Sequence, residues 1–389
     1  MVEPRVAPRR VLLAVIGLSP AVVTETLYWL GTQAQPWHPS EVHLITTLDG
    51  ATRAVPSLSS APGTALHQLC ADYDLPLPRC DAATLHIVAD ANGQLADLRT
   101  AADNEAAANC ILRLVSTLCA DADTEVHFSI AGGRKTMGYL LGYCASLLGR
   151  PCDALSHVLV NPPFDSIPAF LYPPLVPQSM KSYSGAQANT RDARIELAYV
   201  PFIRLRALLP QTLLAGTMSF TETMAVVNAI GGDPSLELAL LPAKKPGGRC
   251  IGIARFAGGL EIVLPVKSFA MYWLLACAAT RGVADERVVD MECDMKLVES
   301  DYLSVYRALT ASSSRYDEEA TRLRALPGFE RAGFVSALMN LNRDLKRELG
   351  NKGLDMYGPH SFGRRGELAY GLKLPGESIR LLGNALVKG

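Results

Sequence analysis

The sequence predicts an α/β protein, a mostly parallel sheet with helices on both faces, joined to a C-terminal winged helix-turn-helix domain. Three observations predict it. Short apolar runs alternate with helical patterns of roughly 10 to 15 residues, the rhythm of parallel βαβ units. A strand, a two-glycine turn and a helix are written in immediate succession over Thr124–Gly149. The last third turns to helices followed by a glycine- and arginine-rich hairpin.

The stretch TEVHFSIAGGRKTMGYLLGYCASLLG organises the rest. Val126, Phe128 and Ile130 alternate with polar residues at the strand period, and apolar residues resume at helical spacing from Met137. Between them stand Gly132 and Gly133, and Arg134, Lys135 and Thr136 open the helix. Glycines admit a ligand close to the backbone, and the first helical N–H groups favour negative charge. Two cations and a hydroxyl at that point make a phosphate the natural guest. The turn is not a Walker A loop, since Arg134 stands between the second glycine and Lys135, and no G-x-G-x-x-G dinucleotide fingerprint follows the strand.

Before this stretch, Val11–Ile16 is a continuous apolar run of the kind a central strand needs. Gly17-Leu18-Ser19-Pro20 ends it, and a helix carries Val22, Val23, Thr26, Leu27 and Leu30 on one side, with Pro20 suited to its first turn. Glu41–Thr47 is the second strand, leaving Thr46, Thr47 and Asp49 at its carboxyl end. Ala61–Tyr73 reads as a helix, Thr84–Ala89 as a strand and Asp103–Cys119 as a long helix. After the central stretch, His157–Val160 is a strand ending in Asn161-Pro162-Pro163. Ligands in such sheets bind outside the carboxyl ends of the strands, where strand order reverses. Three polar loop ends fit: Gly17–Pro20, Thr46–Asp49 and Gly132–Thr136.

Six prolines between Asn161 and Pro177, then the polar run Lys181–Asp192, place a boundary or exposed loop there. The expected organisation is a ligand-binding domain over 1–178, a connecting segment over 179–265 and a winged-helix-like domain over 266–389. Ile195–Leu209 reads as a strand leading into a helix. Arg249–Ile253 and Glu261–Leu264 flank Ala257-Gly258-Gly259 as a β-hairpin. Helices are expected at Ser268–Thr280, Tyr302–Leu309 and Val335–Leu349. Leu354–Tyr357 and Ala369–Leu374 bracket the basic Gly363-Arg364-Arg365-Gly366. Over 340–380, eight Lys/Arg against five Asp/Glu leave a net of +3, modest for a DNA reader, so a dimerisation or lid role is favoured there.

A chain of 389 residues predicts two domains, and 49% hydrophobic with 19% charged residues a soluble protein with a generous core. No run of about 18 uncharged apolar residues suggests a membrane span. The basic start before VLLAVIGL lacks a small-residue cleavage site and reads as lead-in to a buried strand. Nine cysteines without a C-x-x-C pair suit a reducing cytoplasm and argue against a zinc knuckle and a disulfide frame. A net charge of −1 makes any nucleic-acid contact local. His43, His86, His127 and His157 fall in strands without metal or relay spacing and are read as structural, as are Cys110, Cys119 and Cys144 on helix faces. Asp49 and Asp165 at strand ends suit ribose contacts or turn capping alike. Tyr139 and Tyr143 are read as core or dimer contacts, and Glu25, past Ser19, as a partner for Arg134 or Lys135.

GLSPAVVTETLYWL after the first strand, paired with SIAGGRKTM after a later one, resembles the CRISPR-associated Rossmann-fold (CARF) ring nucleases. NPPFDSIPAFLYPP and PFIRLR look like the longer subfamily with a C-terminal winged helix. The resemblance implies a Rossmann-like fold and a cytoplasmic homodimer that binds a cyclic oligoadenylate, most often cyclic tetra-adenylate, across its two-fold axis. It implies cleavage without a metal or other cofactor, which ends type III antiviral signalling. Lys135 matches the family's turn lysine and Ser19 the serine of the strand-one loop, the two residues expected to be catalytic. Gly17, Leu18, Pro20, Thr46, Thr47, Asp49, Gly132, Gly133, Arg134, Thr136 and Asn161 are the expected ligand-binding residues. Ala21 departs from the glycine of many relatives.

The expected chemistry follows from the substrate. An RNA phosphodiester carries its own nucleophile, the 2′-OH, so cleavage needs in-line geometry and positive charge at the developing phosphorane. Lys135 and the amides after Gly133 supply charge, and Ser19 holds the 2′-OH; the products are a 2′,3′-cyclic phosphate and a 5′-OH. Arg134 grips phosphate or braces the subunit partner through a carboxylate. Two other classes stand beside this one. A ligand-gated regulator would use the same pocket to sense the ring, with DNA as a further candidate partner of the winged helix. A ligand-gated ribonuclease would need an Arg-x-x-x-x-His site, and no arginine stands five residues before His360.

Overall fold

The computed structural model describes residues 8–182, 185–242, 249–281, 288–290, 295–310, 313–325, 329, 331–362 and 369–383. The chain forms two compact units, one of Met1–Ala207 with Leu214–Phe220 and one of Leu208–Leu213 with Thr221–Gly389.

The first unit is built on β1 (Arg9–Val15), α1 (Ala21–Thr32), β2 (Glu41–Thr46), α2 (Leu48–Leu58), α3 (Ala65–Asp72), β3 (Leu85–Ile87), a small hairpin of β4 (Ala89–Asp90) and β5 (Gly93–Gln94), α4 (Ala101–Ala120), β6 (Thr124–Ser129), α5 (Lys135–Leu148) and β7 (Ala154–Val160). A hairpin of β8 (Ser179–Lys181) and β9 (Gln187–Asn189) precedes β10 (Ile195–Tyr199). The six-stranded sheet runs β10-β7-β6-β1-β2-β3, parallel throughout except for β10, which pairs antiparallel with β7 at one edge. β1 sits between β2 and β6, with Ala14 opposite Leu44 on one side and Ser129 on the other. Strand order therefore reverses between β1 and β6.

Every residue from Val11 to Ile16 is buried, so the apolar run needs cover on both faces. On one face Leu12, Ala14, Ile16, Val42 and Leu44 pack with Val23 and Leu27 of α1, Ala54 and Leu58 of α2, and Leu66 and Leu69 of α3. On the other, α4 and α5 lie against each other and against β6 and β1, offering Ile111, Val115, Met137 and Leu141. Each such side chain stabilises by roughly 1.5–3 kcal/mol when fully buried.

Three elements depart from expectation. α2 was not anticipated, because Gly50 and Pro56 interrupt its sequence; Ala51, Ala54 and Leu58 nevertheless repeat at helical spacing and are buried. The helix expected from Ala61 starts at Ala65, after Gly63 takes φ +84° and Thr64 caps the first turn. Between β10 and Leu209 the expected helix is replaced by a single 3-10 turn at Arg206–Leu208. There Arg204 donates to the carbonyls of Arg150 and Asp153, and Arg206 to that of Leu148, so the PFIRLR run is a strap along the end of α5.

The second unit contains α6 (Gln211–Leu214) in part, most of α7 (Phe220–Gly231), β11 (Leu236–Leu241), β12 (Ile251–Phe256), β13 (Glu261–Val263), α8 (Val266–Ala279), β14 (Val288–Asp290), α9 (Met295–Leu297), α10 (Ser304–Leu309), α11 (Ser313–Arg324), α12 (Arg331–Tyr357), β15 (Pro359–Phe362), β16 (Ala369–Leu372) and β17 (Ile379–Leu382). The β12–β13 hairpin around Ala257–Gly259 forms as expected. β17 then returns to pair in parallel with β11, completing the sheet β13-β12-β11-β17. α8 is buried on nearly all sides from Ser268 to Ala279. α12 breaks at Gly350, with φ +69°, and is followed by the antiparallel pair β15–β16. Helices followed by a hairpin is the expected order; Gly363-Arg364-Arg365-Gly366 lies outside the described residues.

Candidate functional site

The reversal of strand order puts the loops after β1 and β6 side by side. A Cβ built on Gly17 would lie 3.4 Å from the Cα and N of Gly133, and one on Gly132 would lie 2.6 Å from the Val15 carbonyl oxygen. Gly133 itself takes φ +76°, a conformation that side chains other than glycine's rarely adopt. The loop after β2 joins them: a Cβ on Gly50 would lie 3.0 Å from the Gly17 carbonyl oxygen and 2.1 Å from Thr46 Oγ1. All three polar loop ends read from the sequence thus meet at one place.

Helix capping separates these loops from the rest. α2, α3 and α4 each have a threonine N-cap: Thr47 accepts from Gly50 N, Thr64 from His67 N, and Thr100 from Asp103 N in a full capping box. α1 and α5 start at Pro20 and Arg134 with no side-chain cap. A helix start leaves backbone N–H groups without intrahelical partners, and its dipole adds positive potential. Of the five, then, the two uncapped starts belong to the adjoining loops. The α2 start is closed to a ligand, since Leu48 N and Asp49 N donate to the carbonyls of Leu95 and Ala96.

A cleft of about 380 Å³ opens here. Of the expected residues, Gly17, Leu18, Thr47, Asp49, Gly133 and Arg134 line it; Ile16, Asp97, Arg99 and Met137 complete the lining. Arg134 lays its guanidinium on Asp97, Nε to Oδ1 at 3.0 Å and Nη2 to Oδ2, and Arg99 Nε lies 3.3 Å from Oδ2. The Arg134 hydrogen bonds lead the effects that hold the Asp97 carboxyl at about 2, followed by the Leu98 amide. Arg134 therefore braces a carboxylate of its own chain. Sequence reasoning missed Asp97, because nothing in the run Ala96-Asp97-Leu98-Arg99 distinguishes it from a solvated loop.

Ser19, Pro20, Thr46, Gly132, Lys135, Thr136 and Asn161 do not line the cleft. Ser19 and Lys135 are exposed at its two loops, Ser19 Oγ accepting from Ala21 N at 3.3 Å. Lys135 has no ion pair among the described residues and is the first residue of α5. Thr46 is buried beneath the site, its Oγ1 without a hydrogen-bond partner among the described residues. Asn161 ties loops together, donating to the carbonyl of Asp192 and accepting from Arg194 N. Glu25 does not pair with Arg134 or Lys135. It is buried in α1, where desolvation, then the nearby charge of Asp165, raise its carboxyl to about 7.

The histidines behave as structural groups, with one addition. His43 Nε2 meets Glu41 Oε2 at 2.8 Å, and His43 Nδ1 meets His86 Nε2 at 3.0 Å, a linked pair that sequence spacing did not reveal. Burial lowers both, His86 to about 4.

An α/β unit with a polar cleft at its switch point places the fold in the doubly wound class, whose ligands bind at that point. The chain belongs to a family of CRISPR-associated proteins: the profile described as CRISPR-associated protein NE0113 matches residues 19–230, which takes in the loops after β2 and β6 and, of the loop after β1, Ser19 and Pro20. No curated protein matches. Among solved structures, Csm6 of Enterococcus italicus bound to cyclic hexa-2′-fluoro-hexa-dAMP aligns at 13% identity and a TM-score of 0.25. That alignment covers 39% of this chain and 34% of the other, about a third of that protein's length. Among the described residues, no helix is long and apolar enough to cross a membrane.

Proposed function

We propose that this chain is a CARF ring nuclease of type III CRISPR immunity, which binds a cyclic oligoadenylate, foremost cyclic tetra-adenylate, and cuts it to linear products. The observation that carries the reading is the pair of uncapped helix starts, α1 and α5, at adjoining loops beside a cleft lined by Arg134 and Arg99. The start of α5 with its dipole, and the guanidinium groups of Arg134 and Arg99, meeting at one cleft suit a phosphate-rich ligand. Membership in a CRISPR-associated family narrows the ligand to the signals of that system.

A cleft of about 380 Å³ stands near the lower end of ligand pockets, roughly 300–1,000 Å³. A ring of four nucleotides overflows it. A homodimer would double the site about a two-fold axis that matches the symmetry of the ring. In that arrangement one nucleotide occupies each cleft, and the ring's remaining phosphates lie over the loop rims, where Ser19 and Lys135 are exposed. Lys135 and the first amides of α5 stabilise the charge that develops on the phosphorane. Ser19 orients the 2′-OH for in-line attack on the adjacent phosphorus, the 5′-oxygen departs, and a 2′,3′-cyclic phosphate remains. Proton transfer at the attacking oxygen falls to solvent, so turnover is slow.

The alternative of a ring-sensing DNA regulator draws on α12, where Arg343, Lys346, Arg347 and Lys352 are exposed ahead of the β15–β16 hairpin. Arg347 pairs with Glu348, and Arg343 lies 3.7 Å from Asp344, so half of that positive charge is compensated. The nuclease reading is preferred on this account. Incubating the protein with labelled four- and six-membered rings in EDTA and separating the products tests it. Intact rings after many hours, with binding retained, would leave the sensor reading in its place.

A further inference from the structure

An anion site does not ordinarily hold a carboxylate against its own arginine. Here both Asp97 oxygens are occupied: Oδ1 accepts from Leu98 N at 2.8 Å and Arg134 Nε at 3.0 Å, Oδ2 from Arg134 Nη2 and from Arg99 Nε at 3.3 Å. Asp97, Arg99 and Arg134 all face the cleft. We propose that Asp97 sets the affinity and selectivity of this site by competing with the ligand's phosphates for Arg134, an inference that rests on the phosphate-ligand reading above.

The loop that carries Asp97 is held independently of Arg134. Its start is tied to α2 by Leu48 N to Leu95 O at 2.9 Å and Asp49 N to Ala96 O at 3.2 Å. Its end is tied to α4, where Asp103 accepts from Arg99 N and Thr100 N, each at 2.8 Å. The carboxylate is thus presented to Arg134 from a fixed frame. A guanidinium fork engaged with a carboxylate has the geometry that a phosphate requires, so the two anions exclude one another. A ligand offering one phosphate gains little by the exchange. One offering several phosphates in a fixed arrangement gains the exchange once and keeps its other contacts, because the remaining contacts are then intramolecular. The carboxylate thereby discriminates against short linear fragments, including the products of ring cleavage, and favours their release.

The test is binding of cyclic tetra-adenylate and of linear tetra-adenylate with a 5′-OH and a 2′,3′-cyclic phosphate to the wild type, Asp97→Asn, Arg134→Ala and the double variant at two salt concentrations. Asparagine keeps an acceptor for Leu98 N, and a urea melt verifies folding; Asp97→Ser serves as a second variant. Asp97→Asn is expected to bind the linear ligand about five-fold tighter, the scale of one exposed ion pair released. Its salt slope steepens by about 0.7, one further phosphate contact to a single strand. The double variant binds no tighter than Arg134→Ala. Weaker binding in Asp97→Asn, or a gain that survives loss of Arg134, overturns the proposal and makes Asp97 a positioning residue or a bystander. If the linear ligand follows the expected pattern while the ring binds no variant, the ring reading fails and the role of Asp97 stands. If the ring binds and Asp97→Asn gains nothing, the reverse holds; if neither ligand binds, both fall.

Discussion

Gly17 and Gly133, in loops that follow different strands, lie so close that a methyl group on the first would touch the backbone of the second at 3.4 Å. The contact exists because β1 and β6 are neighbours in the sheet although α1, β2, α2, α3, β3, the β4–β5 hairpin and α4 separate them along the chain. It also makes the glycines unequal. Gly17→Ala adds an ordinary van der Waals contact and should cost less than about 1 kcal/mol. Gly132→Ala drives a methyl to 2.6 Å from the Val15 carbonyl and should cost about 2–3 kcal/mol. Urea melts of both variants compare the two; equal costs would mean that the loops yield readily.

Lys135 and Ser19 divide the proposed chemistry. Loss of one charge-stabilising donor at a reacting centre typically lowers turnover by about 100- to 1,000-fold. Lys135→Ala is expected to lose that much ring cleavage in single-turnover assays while its melting curve stays close to wild type, since the side chain is exposed. Unchanged cleavage would remove Lys135 from the reaction.

Ser19→Ala should reduce turnover by about ten-fold and leave ring affinity within about two-fold, because its role is in the attack and not in holding phosphate. A paired titration and single-turnover measurement separates the two effects. Affinity lost in step with rate would make Ser19 a binding residue.

Glu25 predicts a pH dependence. Its carboxyl is raised from 4.5 to about 7, first by burial and then by Asp165, so the folded state prefers the neutral acid. With the folded value above the unfolded one, that preference is fully present below about pH 4.5 and is lost as pH rises through about 7. Glu25→Gln should therefore stabilise the protein at pH 8, by up to about 3 kcal/mol, and change little at pH 4.5. Denaturant melts at both values check it; an equal effect at each would dismiss the burial argument.

His127 works in the opposite direction. It is buried, with its Nε2 2.7 Å from Ser156 Oγ, and burial lowers it from 6.5 to about 4. A depressed folded value gives stability that is present above about pH 6.5 and declines as pH falls toward 4. His127→Asn should flatten that decline, read from melts at pH 7, 5.5 and 4.5.

The alternation of strand and helix, the buried β1, the two-glycine turn after β6 and the hairpin around Gly258 were legible in the sequence, because each rests on local period or turn chemistry. α2 was not, since Gly50 and Pro56 speak against a helix and only burial of Ala51, Ala54 and Leu58 sustains it. The helix expected after β10 failed because Arg204 and Arg206 found carbonyl partners along α5, which local propensity cannot register.

By itself, then, the sequence determined the alternation of the main strands and helices of the first unit, which loops are glycine-rich, and which helix starts carry cations. Tertiary structure alone decided that β1 lies beside β6, that Gly17 faces Gly133, and that Asp97 reaches Arg134 across 37 positions. The physical reason is range. Periodicity and capping are set within a few residues, whereas strand order and the meeting of two side chains follow from how the whole sheet buries its apolar faces.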